Sequence, residues 1–242
     1  MRKSILFALC ALTVTGCAKH DPILPGIRTD IFDAGRVKIL NQEIENLPHD
    51  ATKSINTDCP YRQDASNVIW RGDKKIFSGF PTSNSVKSVQ SPVCDNAFIY
   101  AGLTTGELVK VNGKTRDVAW VADIYRPSNM TGGASVLDII APIRIFDGAV
   151  YAGGLGDAFC RINPKTGAKK WCANIGTAHA FEIAGDAAFV AATDGNLYAL
   201  RTSDGAAYWM RPIKTQDAVK YANKIVTVGK QTFNAETGTE IK

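Results

Sequence analysis

The chain has 242 residues, 45% of them apolar and 21% charged, with a formal net charge of +5. That is an ordinary globular composition, and the length is enough for one sizeable all-β domain. The positive charge is dispersed, with no long basic run, which excludes a basic stripe of the kind that binds nucleic acid.

The first residues read as an address. Arg2 and Lys3 precede the apolar stretch Ile5 to Val14, which is too short to cross a bilayer. The stretch ends in Val14-Thr-Gly-Cys17, which resembles a bacterial lipobox, with cleavage before a Cys that receives the lipid. Residues 1–16 are therefore expected to be a lipoprotein signal peptide, with Cys17 as the lipidation site. Several acyl chains of the palmitate type on one Cys anchor stably. Ala18 follows Cys17 where Asp would favour retention elsewhere, so the expected address is the outer membrane, facing the periplasm. Residues 17–66 are expected to be the lipidated Cys and a tether, polar and carrying Pro22, Pro25, Pro48 and Pro60. Val37, Leu40, Ile44 and Leu47 fall at helical spacing, so this stretch holds either a short helix stopped by Pro48 or an irregular linker.

Regular alternation begins near Asn67, and Val68-Ile-Trp70 is expected to close an earlier, incomplete unit. A repeat follows. Ile145 to Gly154 leads to Asn163-Pro-Lys-Thr-Gly-Ala-Lys-Lys-Trp171; Ile183 to Ala192 leads to Thr202-Ser-Asp-Gly-Ala-Ala-Tyr-Trp209. Gly167 and Gly205 each precede a Trp by four residues. Upstream, Val93 to Gly102 leads to Asn112 and Trp120, with Arg116 in the glycine slot. Downstream, Ala218 to Gly229 leads to Asn234 and Gly238, with Lys242 in the Trp slot. The end points 120, 171, 209 and 242 are spaced 51, 38 and 33 residues apart. Periods near 40 with four short strands per unit indicate propeller blades. The expected fold for residues 67–242 is all-β and β-propeller-like, with four to five blades of four-stranded antiparallel sheet in a ring that is complete or incomplete. Trp120, Trp171 and Trp209 are expected to close each blade and to bury their rings over a neighbouring turn. The longest insertion, Val121 to Ala141, is in part a loop.

Chemistry is sparse. His20 and His49 lie in the tether, and His179 opens a blade as a rim or packing residue. Asp157, Asp194 and Asp204 each adjoin a Gly and read as turn residues, with no series of calcium ligands around them. No hydrolase, zinc or phosphate-loop motif appears, so no catalytic residue, metal or cofactor is expected. Four cysteines remain after export and lipidation: Cys59, Cys94, Cys160 and Cys172. Cys160 and Cys172 flank the Asn163–Gly167 turn, a spacing open to a cross-strand disulfide that would leave Cys59 and Cys94 as the other pair. Three pairings exist, and spacing chooses neither among them nor between disulfides and buried thiols.

The stretch Gly195 to Trp209 resembles the repeat of quinoprotein-type propellers. With the lipobox, Leu24-Pro25-Gly26 and the Asp138-Ile-Ile-Ala-Pro142 lead into a blade, the chain resembles the BamB family, propeller lipoproteins of the outer-membrane β-barrel assembly machinery. The resemblance implies a non-enzymatic scaffold that binds the barrel-inserting subunit BamA, with other machinery proteins, and aids insertion of outer-membrane proteins. It also implies partner contacts from acidic residues just before a blade-opening Pro; Asp138 is the residue nearest such a position, though its spacing does not match cleanly and a loop cap is the simpler reading. The family propeller has eight blades, and this chain has material for four or five. Two rival functions remain: a quinoprotein-type enzyme, which in its family often carries an adjacent Cys pair not found here, and a lipid-anchored envelope binding or sensor protein.

Overall fold

The computed structural model describes residues 37–55, 58–83, 85–86, 90–125 and 136–241. The signal stretch, Cys17, Leu24-Pro25-Gly26, residues 126–135 of the loop after β7 and Lys242 lie outside the described residues.

Each repeat folds as one antiparallel sheet, in chain order from one edge to the other. One sheet holds β4 (Val93–Asp95), β5 (Phe98–Gly102), β6 (Glu107–Asn112) and β7 (Val118–Asp123). The next holds β8 (Arg144–Phe146), β9 (Ala149–Gly153), β10 (Phe159–Ile162) and β11 (Lys169–Ala173). Then come β12 (Glu182–Ala184), β13 (Ala187–Ala191), β14 (Asn196–Arg201) and β15 (Ala207–Pro212), and finally β16 (Val219–Ala222), β17 (Ile225–Val228), β18 (Gln231–Asn234) and β19 (Glu240–Ile241). Ahead of them stands a three-stranded sheet of β1 (Arg62–Gln63), β2 (Val68–Arg71) and β3 (Lys74–Ser78). Val68-Ile-Trp70 is therefore a middle strand, paired on both sides, and not the closing strand expected from its Trp.

The repeated residues have repeated work. Between the third and fourth strands, Asn112, Asn163 and Asn234 each accept the amides two and three residues ahead on their side-chain oxygen. The Asx turn is thus closed by the side chain itself. A residue at positive φ completes it: Gly167, Gly205 and Gly238, or Arg116 at φ 69°. One register shift recurs in the third strand of three sheets, at Lys110/Val111, Arg161/Ile162 and Ala199/Leu200.

Why the sheets stack is visible in the burial. Central strands such as β9 and β13 are buried on both faces, so neither can face water. The core is four clusters, each filling the gap between two successive sheets. Among the described residues no cluster joins the first sheet to the last, and the row of sheets does not close. The last sheet shows why. In β16 to β18 buried and non-buried residues alternate, with Val219, Tyr221, Val226, Val228 and Phe233 turned inward and Lys220, Thr227, Thr232 and Asn234 on the other side. A half-polar terminal repeat is how a stacked array ends.

The tether expected from the sequence is, over 37–55, seated on the sheets as an extended strap. No helix forms there. Asn41 and Asn46 take φ of 54° and 58°, outside the helical range. The strap's polar backbone instead finds neighbouring sheets. Leu40 and Gln42 donate to the carbonyls of Ala207 (2.8 Å) and Tyr208 (3.0 Å), and Ala207 donates back to Lys38 (2.8 Å). Ile44 and Leu47 are buried in the core of the last two sheets. Asp50 then bridges to Ala222, Thr52 donates to Ile183 O (2.7 Å), and Ile55 donates to Ile145 O (2.8 Å). From Asp50 on, the strap therefore meets the sheets in reverse chain order before the chain enters β1.

Candidate functional site

Three ring-on-glycine contacts hold successive blades together. A Cβ on Gly167 would stand 2.8 Å from the Trp120 ring; on Gly205, 2.6 Å from Trp171; on Gly238, 2.6 Å from Trp209. Each Trp thus lies on the turn of the following blade; Trp171 and Trp209 do not cover the glycine four residues before them. Each indole N–H donates into that same turn: Trp120 to Pro164 O (3.0 Å), Trp171 to Thr202 O (2.9 Å), Trp209 to Ala235 O (3.0 Å). Lys110 adds a second donor to Pro164 O at 2.7 Å, and its ammonium sits 4.0 Å from the Phe98 ring centroid; burial pulls its pKa down. The series stops where its parts are missing: Arg116 replaces the glycine at one end, and Lys242, in the Trp slot at the other, lies outside the described residues.

Cys59 is bonded to Cys94 on β4, and Cys160 to Cys172 across β10 and β11, where the two face each other in register. The first bond fastens the end of the strap to the second sheet. Asn67, which sequence reasoning passed over, fastens the first sheet to the second. It is fully buried, donates to Phe80 O (2.7 Å) and Thr104 Oγ1 (2.8 Å), and accepts from Thr104 N (2.9 Å).

Asp138 is 1% exposed. Its Oδ2 accepts the Val86 amide at 3.0 Å and its carbonyl accepts Leu155 N at 2.9 Å. Burial raises its carboxyl above the ordinary 3.8, against the pull of that amide. This is a carboxylate ordering loops from inside; it offers no surface to a partner, so the partner contact implied for it has no geometry here.

The described residues form a cleft of about 540 Å³ where the strap crosses the first strands. Ala51 to Ser54 make one wall; Gln90 to Val93, Pro142 to Arg144 and Glu182 make the others. Arg144 and Glu182 pair across β8 and β12 at 2.8 Å. Burial raises the Glu182 carboxyl while the guanidinium pulls it down. Ser54 Oγ accepts the Ile145 amide at 2.9 Å. No motif marks these residues in the sequence; only the strap's path brings them together. Among the described residues no three His, Cys, Asp or Glu side chains gather as metal ligands. His179 is exposed, and its carbonyl accepts Thr177 Oγ1 at 3.4 Å.

The family model described as "Outer membrane protein assembly factor BamB" matches residues 53–211, well over half of the 242. The chain belongs to the BamB family. Its fold is similar to that of BamB from Moraxella catarrhalis, with TM-score 0.50 and 15% identity over 81% of this chain and 67% of that one. It is also similar to the quinohemoprotein alcohol dehydrogenase ADHIIG from Pseudomonas putida HK5, with TM-score 0.55 and 13% identity over 86% of this chain and 45% of that one. At such identities the likeness is one of fold alone. No curated protein matches the chain in sequence. The described sheets of this BamB-family chain thus form an open row of a propeller fold that also occurs in an alcohol dehydrogenase.

Proposed function

We propose that the chain is a non-enzymatic scaffold lipoprotein of outer-membrane β-barrel assembly, which binds the barrel-inserting subunit BamA and aids insertion of outer-membrane proteins. The observation that carries this reading is the BamB family match over residues 53–211. The packing supports it. The Trp and Gly residues of the repeat are spent on joining blades, and the cleft groups on joining strap to strands, which is the economy of a rigid binding body. In this reading Cys17 carries the lipid, residues 1–16 are removed, and the body faces the periplasm from the outer membrane.

The test is a pull-down of the lipidated protein from its native envelope, with co-purifying proteins identified. Recovery of the barrel-inserting subunit is the expected result. A different envelope partner in its place rejects the assembly role. Labelling with a palmitate analogue, present in the native chain and lost in Cys17→Ser, tests the anchor. Saturable binding of pyrroloquinoline quinone with calcium would instead favour an enzyme.

A further inference from the structure

The two faces of the first sheet carry different chemistry. Gln63, Ile69 and Phe77 are cross-strand partners, and Ile69 and Phe77 pack toward Cys94 and Ile99 of the second sheet. Side chains alternate along a strand, so the next cross-strand row, Arg62, Trp70 and Lys75, lies on the opposite face. Among the described residues no core cluster joins that face to another sheet.

This row is built round one half-buried ring. Arg62 Cζ stands 5.3 Å and Lys75 Nζ 5.9 Å from the Trp70 ring centroid. Asp64 Oδ2 accepts the indole N–H at 2.8 Å, and Asp64 Oδ1 accepts the amides of Ser66 (2.9 Å) and Val68 (3.1 Å). The Asp64 carboxylate is thus engaged within its own sheet. At the hairpin tip Arg71 and Lys74 are partners, and Arg71 Cζ lies 5.8 Å from the Tyr61 ring. All four cations are exposed, and within residues 61–78 the one exposed acid is Asp73. Among the described residues none of the four forms an ion pair.

We propose that this face of the first sheet is a membrane-contact surface, which takes the phosphate headgroups of an anionic phospholipid bilayer. Gathered cations are drawn to an anionic surface, and a Trp ring with an apolar body settles at headgroup level. An acidic polypeptide would use the cations alone; the ring between them is what suits a headgroup layer. The tether permits the contact. Nineteen residues separate Cys17 from Val37, a reach of up to about 70 Å when extended. A domain of this length is about 45 Å across, so a lipid on Cys17 leaves this face free to lie on the bilayer. Charge disfavours a second copy as occupant. Lys220 is exposed on the outer side of the last sheet, so stacking that side on Arg62 and Lys75 would set like charges together. This deepens the scaffold reading and rests on its lipid anchor to hold the face near a bilayer.

The test is co-sedimentation of the chain from Ala18 onward, which keeps every described residue and carries no lipid, with vesicles of phosphatidylcholine alone or mixed with phosphatidylglycerol. The expected result is binding to the mixed vesicles, weakened by salt. Arg62→Gln and Lys75→Gln should each weaken it about fivefold, and the double variant about thirtyfold. Lys220→Gln with Lys230→Gln removes the same charge elsewhere and should leave binding unchanged. A blue shift of Trp fluorescence on the mixed vesicles should vanish in Trp70→Phe. In the full lipidated chain, reconstituted into both kinds of vesicle, Lys74 and Lys75 should be acylated more slowly on the anionic one. Equal binding to the two vesicles, or equal losses in the two double variants, overturns the proposal. Binding to polyglutamate with none to vesicles overturns it in favour of an acidic polypeptide. Recovery of the barrel-inserting subunit without vesicle binding rejects this face alone; vesicle binding without that recovery upholds the face and rejects the assembly role.

Discussion

Gly205→Ala isolates the contact that joins the blades. Gly205 has φ +77°, and a Cβ there would lie 2.6 Å from Trp171 Cε3 and 2.9 Å from Cδ2. Carbon atoms rest about 3.5–4.0 Å apart, so the ring must move. A left-handed Ala costs about 1–2 kcal/mol by itself. Overpacking against a ring pinned by its bond to Thr202 O adds about 1–3 kcal/mol. The sum is about 2–5 kcal/mol. Gly195 in the same sheet is the control: it has φ +85° and nothing within 4 Å of the added Cβ. Gly195→Ala should therefore show the backbone cost alone, about 1–2 kcal/mol. Urea unfolding followed by Trp fluorescence reads both, with the Trp171 signal itself shifted in Gly205→Ala. Equal losses in the two variants would refute the argument that the indole seats on that glycine.

Other outcomes follow from the same contacts. Ile44→Ala and Leu47→Ala should each cost about 2–4 kcal/mol, and should speed amide exchange at Thr52 and Ile55, where the strap lies on β12 and β8. Cys59→Ser should destabilise more than Cys160→Ser, by about 1 kcal/mol, because the first bond closes a separation of 35 residues and the second one of 12; equal losses in thermal unfolding would contradict this. Asp138 has its pKa raised above 3.8 on folding, so the folded state holds the proton more tightly. Its contribution is fully present below pH 3.8 and is lost as pH rises through the folded value. Asp138→Asn should flatten that part of the stability–pH curve, and an unchanged slope would show that the carboxyl is not desolvated.

The repeat was legible because turn chemistry is local: an Asn, a left-handed Gly and a Trp at fixed spacing fix one hairpin. Which glycine each Trp covers was not, because that contact runs between repeats. Trp171 is four residues from Gly167 in sequence yet rests on Gly205. The strap was misleading for a related reason. Val37, Leu40, Ile44 and Leu47 have helical spacing, but that spacing also suits an extended chain that bends at Asn41 and Asn46 to drop Ile44 and Leu47 into a core made by others. Arg144 and Glu182 carry no motif, and the sequence does not show that Asp138 is buried, because its lead into β8 is irregular. The open row was half legible, in the Lys220 to Asn234 alternation.

The strap imposes an order of assembly. Its residues leave the ribosome before any sheet does, yet the strands they lie on, β8, β12 and β15, and the turns of β16 to β19, come 90 to nearly 200 residues later in the chain. Local hairpins close quickly, and contacts of such long range come late. Residues 44–50, which lie against β16 to β19, must therefore wait, unpaired, until the C-terminal sheet has formed. A chain cut short before β16 would keep its first hairpins and lose the seat for Ile44 and Leu47. Docking of the oldest segment thus reports that the youngest is in place.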